Sequence, residues 1–256
     1  MGAKQLFILP NGYLSVDKSI LTAGRDMGTK VKVPCYSALI RTDEGDILVD
    51  TGLNPQGLTE PEKAWGPRAK LIQPSITAED DVRQRLAQIG VRPQDLRCVL
   101  ITHLHWDHTG ALRFFSDVPI LVQKAEYRFA FYPDRYLSSP YMRNHFEHPL
   151  NYELIEGDQE IVPGVAMVLA AGHTPGQAAV VVNLPETGTV ILASDAVYVR
   201  ENIDQDVPPG NCWSPPHAVD SIHRLALWQK MTRGMLIPGH DPEVWTTLRK
   251  APDYYA

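Results

Sequence analysis

The sequence CVLITHLHWDH, at residues 98–108, joins a short apolar run to a dense group of histidines. The apolar run is typical of a buried strand, and the polar residues follow where that strand ends. Side chains alternate between the two faces of an extended chain, so His103, His105 and Asp107 would share one face if the strand continued. A turn near Asp107 would aim His108 at a second centre. Imidazole and carboxylate groups suit zinc and its first-row neighbours.

Three further candidate ligands follow apolar runs elsewhere in the chain. His173 comes after VLAAG, Asp195 after ILAS and His240 after MLIPG. Functional side chains gather on the segments that follow strands. One histidine in such a place is usually an ordinary polar residue, but the three together complete two sites, each with three ligands of its own, that share one carboxylate. A histidine-rich loop without function is disfavoured, because three of the nine histidines fall within six positions.

Short apolar runs alternate with turn signals along the whole chain. Asn11-Gly12 and Asp43-Glu44-Gly45 each predict a hairpin, and helices are predicted from Thr77 to Gly90, at Thr109-Gly110, after Ser214-Pro215 and near Glu243. Residues 53–75 are predicted to form a loop, and residues 126–148 a mixture of helix and loop. Many short strands with several helices and no break in composition favour one α/β domain of layered sheets with helices outside. The predicted strands are 5–10, 13–16, 35–41, 46–50, 98–102, 119–123, 152–156, 165–170, 178–184, 189–194 and 235–238.

The bulk composition excludes several classes of protein. The net charge of −6 does not suit nucleic acid. Three separated cysteines without a CxxC pair predict neither a disulfide framework nor a thiolate zinc site. We interpret Cys35 and Cys98 as small apolar strand residues, whereas the position of Cys212 in a loop rich in Pro and Gly leaves it open. No signal peptide or membrane-length apolar run is present, so we expect a cytoplasmic protein without a membrane partner.

The motif HxHxDH, followed by a later histidine, an aspartate and a final histidine, resembles the metallo-β-lactamase superfamily in its dinuclear hydrolase form. The longer likeness is to the N-acyl-homoserine lactonases, which are quorum-quenching enzymes, and it covers most of the chain. It implies an α/β fold, a four-layer αβ/βα sandwich of the metallo-β-lactamase type, in which residues 1–256 form a single hydrolase domain. Besides THLHWDH, the supporting segments are DILVDTG (46–52), IEGDQEIVPGV (155–165), AGHTPGQ (171–177), ILASDAVY (191–198) and PGHDPE (238–243).

The resemblance implies two divalent metal ions, zinc first, with cobalt, manganese and iron as alternatives. Asp50 is similar to the superfamily's aspartate that orients a ligand histidine. Trp106 stands where we expect phenylalanine, which would reshape the wall of the pocket. Carried over position by position, the ligands are His103, His105 and His173 for the first metal, Asp107, His108 and His240 for the second, and Asp195 as the bridge between them.

The same resemblance implies that a hydroxide bridging the metals opens the lactone ring of an N-acyl-homoserine lactone. Tyr198 matches a tyrosine beside the substrate carbonyl, where its hydroxyl would meet developing negative charge. Asp107 would pass a proton to the departing ring oxygen. Backbone groups near Gly210 and Asn211 would contact the substrate amide. Candidates for an apolar acyl groove, each of which could instead pack the core, are Met27, Trp65, Trp106, Phe129 and Tyr132.

The sequence motif also leaves other functions open. A thioester hydrolase of the glyoxalase II type shares the histidine motif, but only about 16 residues follow the final ligand, so its helical C-terminal domain is missing. The complete second site disfavours a persulfide dioxygenase and a true β-lactamase, and the acidic balance disfavours a nuclease. A metal-binding protein without catalysis would normally have a closed site with four ligands. The apolar, aromatic N-terminal half is compatible with a homodimer.

Overall fold

Two β-sheets form the centre of the computed structural model, which describes residues 2–256. The first sheet contains, in chain order, β1 (Ala3–Asp17), β2 (Lys30–Thr42), β3 (Gly45–Val49), β4 (Cys98–Ile101), β5 (Pro119–Gln123) and β6 (Asn151–Ile155). The second contains β7 (Gln159–Val162), β8 (Val165–Leu169), β9 (Ala178–Leu184), β10 (Gly188–Ser194) and β11 (Met235–Pro238), in the spatial order β11-β10-β9-β8-β7.

Both sheets are mixed. Strands β1, β2 and β3 pair antiparallel, and β3, β4, β5 and β6 pair parallel. In the second sheet β7 to β10 pair antiparallel, and β11 pairs parallel with β10. Parallel neighbours end at the same edge of a sheet, and such edges are the usual place for functional loops. The segments that follow β4, β8, β10 and β11 carry the predicted ligands.

The helices are short except for α8, which begins after Ser214 with Pro215 and Pro216 in its first turn, as predicted. None of the described helices combines the length and the apolar character that a bilayer crossing requires. The α-helices are α1 (Lys18–Leu21), α2 (Pro61–Trp65), α3 (Arg68–Leu71), α4 (Val82–Gln88), α5 (Lys124–Phe131), α6 (Arg143–Phe146), α7 (Arg200–Asp204), α8 (Pro215–Thr232) and α9 (Pro242–Thr247). The 3₁₀ helices are Pro55–Leu58, Ala78–Asp80, Pro93–Asp95, Leu112–Phe115 and Arg135–Leu137.

Alternation along the strands explains the layers. In β1, Leu6 and Ile8 face a core shared by both sheets, whereas Phe7 and Leu9 face a second core formed with α4, α5 and α6. On the far side, Ile222 and Leu225 of α8 cover the outer face of the second sheet. The order helix, sheet, sheet, helix is the four-layer sandwich predicted from the resemblance, and that prediction is confirmed.

Some local predictions were wrong. The Asn11-Gly12 hairpin does not form, because β1 runs straight through it with only a register irregularity between Pro10 and Tyr13. Gly12 has φ +100°, and a Cβ there would lie 2.6 Å from the Ser75 carbonyl oxygen, so the glycine serves a close approach instead of a turn. The helix expected at Thr109-Gly110 is a turn that leads into a short 3₁₀ helix. The predicted loop at 53–75 contains α2 and α3, and β7 was missed.

Candidate metal centre

Seven histidine and aspartate side chains from both sheets meet in one cluster, called the ligand cluster below. Four of them follow β4, and one each follows β8, β10 and β11. Each is buried, with at most 9% of its surface exposed. The structure therefore brings together every metal ligand that the sequence predicted, namely His103, His105, Asp107, His108, His173, Asp195 and His240.

The two carboxylate oxygens of Asp195 face different histidines. Oδ2 lies 3.5 Å from Nε2 of His103 and 3.3 Å from Nε2 of His173. Oδ1 lies 3.3 Å from Nε2 of both His108 and His240. Nδ1 of His105 is 2.9 Å from Nε2 of His173, which places it on the first side. Asp195 thus separates two groups of ligand atoms, one at each of its oxygens.

Asp107 lies with the second group. Its Oδ2 is 3.6 Å from Nε2 of His240 and 3.9 Å from Nε2 of His108. Two ligands about 2.1 Å from a tetrahedral zinc ion are about 3.4 Å apart, so these separations and those around Asp195 match a metal site. Among the described residues, Nε2 of His103, Nε2 of His108 and Oδ1 of Asp195 have no hydrogen-bond partner although they are buried. Buried polar atoms without partners are costly, and bound divalent cations would satisfy these atoms.

Contacts on the outer side of each ring orient the ligand histidines. Nδ1 of His108 lies 2.8 Å from Oδ2 of Asp50, and Nδ1 of His240 donates to the carbonyl oxygen of Pro34 at 2.8 Å. Both contacts leave Nε2 free to face the cluster, and such partners typically fix the tautomer of a ligand histidine. Asp50 therefore contacts one of the predicted ligand histidines, as the resemblance implied.

Asp50 also belongs to a chain of hydrogen bonds that connects the two sheets beside the cluster. It accepts hydrogen bonds from the backbone N–H and the hydroxyl of Thr102, both at 2.8 Å, and the Thr102 hydroxyl lies 2.9 Å from that of Ser194. Asp50 and Ser194 have φ +57° and +48°, a left-handed conformation that costs non-glycine residues about 1–3 kcal/mol. The hydrogen bonds hold this strained geometry next to the ligands.

Electrostatics within the cluster favour neutral histidines on the first side. Burial, with help from neighbouring imidazoles, lowers the pKa of His103 and His105, and burial lowers the pKa of His173 to about 4. A neutral imidazole keeps the lone pair that a metal requires. Burial alone would raise the pKa of Asp195, but the imidazoles around it hold that pKa well below its usual value. The bridging carboxylate is therefore ionised.

A cavity of about 140 Å³ opens beside the ligand cluster. Its lining includes the polar side chains of Asp107, Asp195 and Tyr198, together with an aliphatic part that is called the apolar wall. Tyr198 is 4% exposed, and burial together with the charges of Asp195 and Asp107 raises its pKa well above the usual value. Its hydroxyl therefore stays protonated and can donate a hydrogen bond. The apolar wall consists of Leu14, Val16, Ile20, Leu21, Val33 and Ile72.

Three of the predicted groove residues, Trp65, Trp106 and Phe129, lie near the ligand cluster. Trp106 lines the cavity, and Trp65 packs edge-on against it from the core behind, with ring centroids 6.5 Å apart. Phe129 lines an adjoining cavity of about 240 Å³ that also contacts His105 and His173.

Met27 and Tyr132, which we expected at the acyl groove, and Gly210, which we expected near the substrate amide, do not line these cavities. Met27 lies in a turn after α1 and Tyr132 at the end of α5, where they are 77% and 85% exposed, and neither lines these cavities. The backbone N–H of Gly210 is used by the carbonyl oxygen of Ile20 at 2.9 Å. Its neighbour Asn211 lines both cavities instead.

Sequence reasoning missed two residues at the cluster. Glu126 is fully buried and accepts hydrogen bonds from the backbone N–H groups of Leu104 and Gly176 at 2.9 and 3.3 Å, so it joins two ligand-bearing loops. Burial raises its pKa. No sequence signal separates Glu126 from other helical glutamates. Cys35, which we interpreted as an apolar strand residue, is 2% exposed but lies against Asp107 and His240.

Comparison with known proteins places this arrangement in a family. Residues 31–240 match the family model of the metallo-beta-lactamase superfamily. The chain is 34% identical over 259 residues to the N-acyl homoserine lactonase of Bacillus thuringiensis, covering 99% of this chain and 100% of that one. It is 28% identical to the N-acyl homoserine lactonase AttM of Azorhizobium caulinodans, over 98% of each chain.

Solved structures agree with the sequence comparison. The structure of an N-acyl homoserine lactone hydrolase with the product N-hexanoyl-L-homoserine bound at its catalytic metal centre has a TM-score of 0.90 and 33% identity, and covers 100% of both chains. A mutant of AiiA from B. thuringiensis with N-decanoyl-L-homoserine at the active site also has a TM-score of 0.90, with 34% identity and the same coverage. The chain therefore belongs to the N-acyl homoserine lactonase family of the metallo-beta-lactamase superfamily.

Proposed function

We propose that this protein hydrolyses the lactone ring of N-acyl homoserine lactones at the ligand cluster. The observation that carries this proposal is a cavity lined both by residues of the cluster and by aliphatic side chains. The polar ring and amide of such a substrate would lie against the cluster, and the acyl chain along Leu14, Val16 and Ile72. Each buried methylene contributes about 0.8 kcal/mol, so the apolar wall supplies binding energy for the chain. The names of the family members support the same activity.

We also propose that two divalent metal ions, zinc foremost, bind on either side of Asp195. His103, His105 and His173 would hold one ion with Oδ2, and Asp107, His108 and His240 would hold the other with Oδ1. When bound, such ions polarise a carbonyl group and lower the pKa of a water molecule towards neutrality. The donor set of imidazoles and carboxylates suits zinc, with cobalt, manganese and iron as alternatives.

Asp107 is proposed to transfer the proton that the departing ring oxygen needs. It is the most exposed of the seven cluster residues, at 9%, and it lines the cavity in which the substrate would lie. A positioned carboxyl group within reach of a leaving oxygen is a suitable general acid. Asp195, by contrast, is 1% exposed and surrounded by imidazoles, so it is suited to bridging and not to proton transfer.

Tyr198 is proposed to donate a hydrogen bond to the carbonyl oxygen as negative charge develops on it. Replacing it in Tyr198→Phe removes the donor but keeps the ring that packs against His173 and His240 at 5.3 and 5.2 Å. We expect kcat to fall about 10²-fold, the usual cost of losing one such donor, with unchanged metal content. Steady-state kinetics and elemental analysis measure both quantities.

The matched control for that variant is Tyr152→Phe. Its hydroxyl donates to the backbone of Phe146 and lies outside the lining of both cavities. The control should keep the parental kcat. A Tyr198→Phe enzyme that is as fast as the parent would show that this hydroxyl does not assist the reaction.

The activity itself is tested by mass spectrometry on purified, metal-loaded protein. The substrates are acyl-homoserine lactones with short and long chains, and S-lactoylglutathione serves as the competing thioester. We expect the lactones to gain the mass of one water while the thioester stays intact. Rapid thioester cleavage with intact lactones would instead assign the chain to the glyoxalase II type of reaction.

The domain organisation, cellular location, partners and oligomeric state are also proposals. We propose that residues 1–256 act as one hydrolase domain in the cytoplasm, with a small lactone as partner and without nucleic acid or membrane. The net charge of −6 supports the exclusion of nucleic acid. A homodimer is compatible with exposed Met27, Leu71 and Tyr136, which are 77%, 68% and 77% exposed.

A further inference from the structure

Cys35 lies at the ligand cluster although it is absent from the ligand set inferred above. Its Sγ, a carboxylate oxygen of Asp107 and a ring nitrogen of His240 all lie within 4.8 Å of one another. The residue belongs to β2 and is 2% exposed. The preceding residue, Pro34, accepts the hydrogen bond from Nδ1 of His240, so the backbone that carries Cys35 also orients this histidine.

A small cavity of about 20 Å³ lies at the same place. Cys35, Asp107, His108 and His240 all line it. Nε2 of His108 is buried and has no hydrogen-bond partner among the described residues. A space of this size holds about one water-sized group. The polar atoms around it are those that bind transition metals, so an ion there would have the sulfur beside it.

The other two cysteines do not share this environment. Cys98 packs in the core between the sheets, and Cys212 lies half-buried in the loop before α8. Neither belongs to a group of potential metal ligands within residues 2–256. Thiolate sulfur is a soft ligand that binds zinc at about 2.3 Å and favours zinc, cobalt and cadmium over manganese and magnesium.

We propose that Cys35 is a thiolate ligand of the metal ion held by Asp107 and His240. The inference rests on the proposed dinuclear site and extends it with a ligand of different chemistry. When the ion binds, the S–H bond breaks, the sulfur bonds to the metal and the proton leaves to solvent. The second position then prefers thiophilic ions, whereas the first position has only nitrogen and oxygen ligands.

The test is the near-ultraviolet absorption of the full-length protein during titration with Co²⁺. A cobalt–thiolate bond gives a charge-transfer band that nitrogen and oxygen ligands do not give. We expect the band in the parent, its loss in Cys35→Val and Cys35→Ser, and its retention in Cys212→Ser. We also expect the affinity for the second Co²⁺ to fall about 10-fold or more in both Cys35 variants, since even partners outside the ligand set contribute 10–100-fold.

The outcomes separate this inference from the lactonase proposal. Two bound Co²⁺ ions without the band, or a band that persists in Cys35→Val, would show that Cys35 is not a ligand, while lactone hydrolysis could still proceed. Binding of a single Co²⁺ without the band would overturn both the inference and the dinuclear site. Circular dichroism of the two Cys35 variants checks that they are folded, and serine, which like cysteine has a single γ atom, matches the shape of the parent side chain in β2.

Discussion

Asp195→Ala is expected to lose at least one metal ion and to slow lactone hydrolysis about 10³-fold or more, because the lost charge stabilisation is worth several kcal/mol. Its two oxygens face ligand atoms on both sides at 3.3–3.5 Å, so both positions lose a ligand at once. The substitution also removes the negative charge that the imidazoles of four histidines surround. Elemental analysis gives the number of ions per chain, and kinetics with a saturating lactone gives the rate.

Asp220→Ala is the matched control for Asp195→Ala. Asp220 is exposed on α8, and no salt bridge or side-chain hydrogen bond involves it within residues 2–256. The control should retain both ions and the parental rate. If Asp195→Ala kept two ions and hydrolysed the lactone normally, the bridging role of Asp195 would be disproved.

Asp50→Asn is expected to weaken the second metal position about 10–100-fold and to lower the free energy of unfolding by about 1–3 kcal/mol. Asp50 accepts from two donors on Thr102 and contacts Nδ1 of His108, all at 2.8 Å. An amide has one oxygen, so its NH₂ group must face at least one of these donors. Asparagine tolerates the left-handed φ of +57°, so the loss reports on hydrogen bonding and not on backbone strain.

Competition with a coloured chelator measures the metal affinity of that variant, and denaturant unfolding of the metal-free protein measures its stability. Asp46→Asn is the control, because Asp46 lies at the other end of β3 and its nearest cationic group is Arg41 at 3.8 Å. Parental metal affinity in Asp50→Asn would show that the carboxylate charge of Asp50 is not needed to orient His108.

The residues of the ligand cluster could be picked out from the sequence because their signal is local. Each follows a short apolar run, and β5, β9 and β11 have the bounds that those runs predicted. The layered fold followed from the resemblance and from the alternation of strands and helices. The Asn11-Gly12 prediction failed because pairing with β2 on one side and contact with Ser75 on the other outweigh a local preference for a turn.

What could not be predicted depends on contacts between distant parts of the chain. Nothing near Cys35 in the sequence indicates that residues 107 and 240 will meet it. Glu126 is likewise an ordinary helical glutamate until the loops of Leu104 and Gly176 fold against it. Met27 and Tyr132 have the apolar character that a groove requires, but the turn after α1 and the end of α5 leave these side chains exposed to solvent.

At each of the two proposed metal positions, the ligand cluster contains residues from both sheets. At the first position, His103 and His105 follow a strand of the first sheet, whereas His173 and Asp195 follow strands of the second. At the second position, Asp107 follows a strand of the first sheet and His240 a strand of the second. Each bound ion would thus act as a cross-link between the two halves of the sandwich. A ligand present at 100 times its dissociation constant stabilises a native state by about 2.7 kcal/mol, so two such ions make the Tm of the protein depend on the free metal concentration.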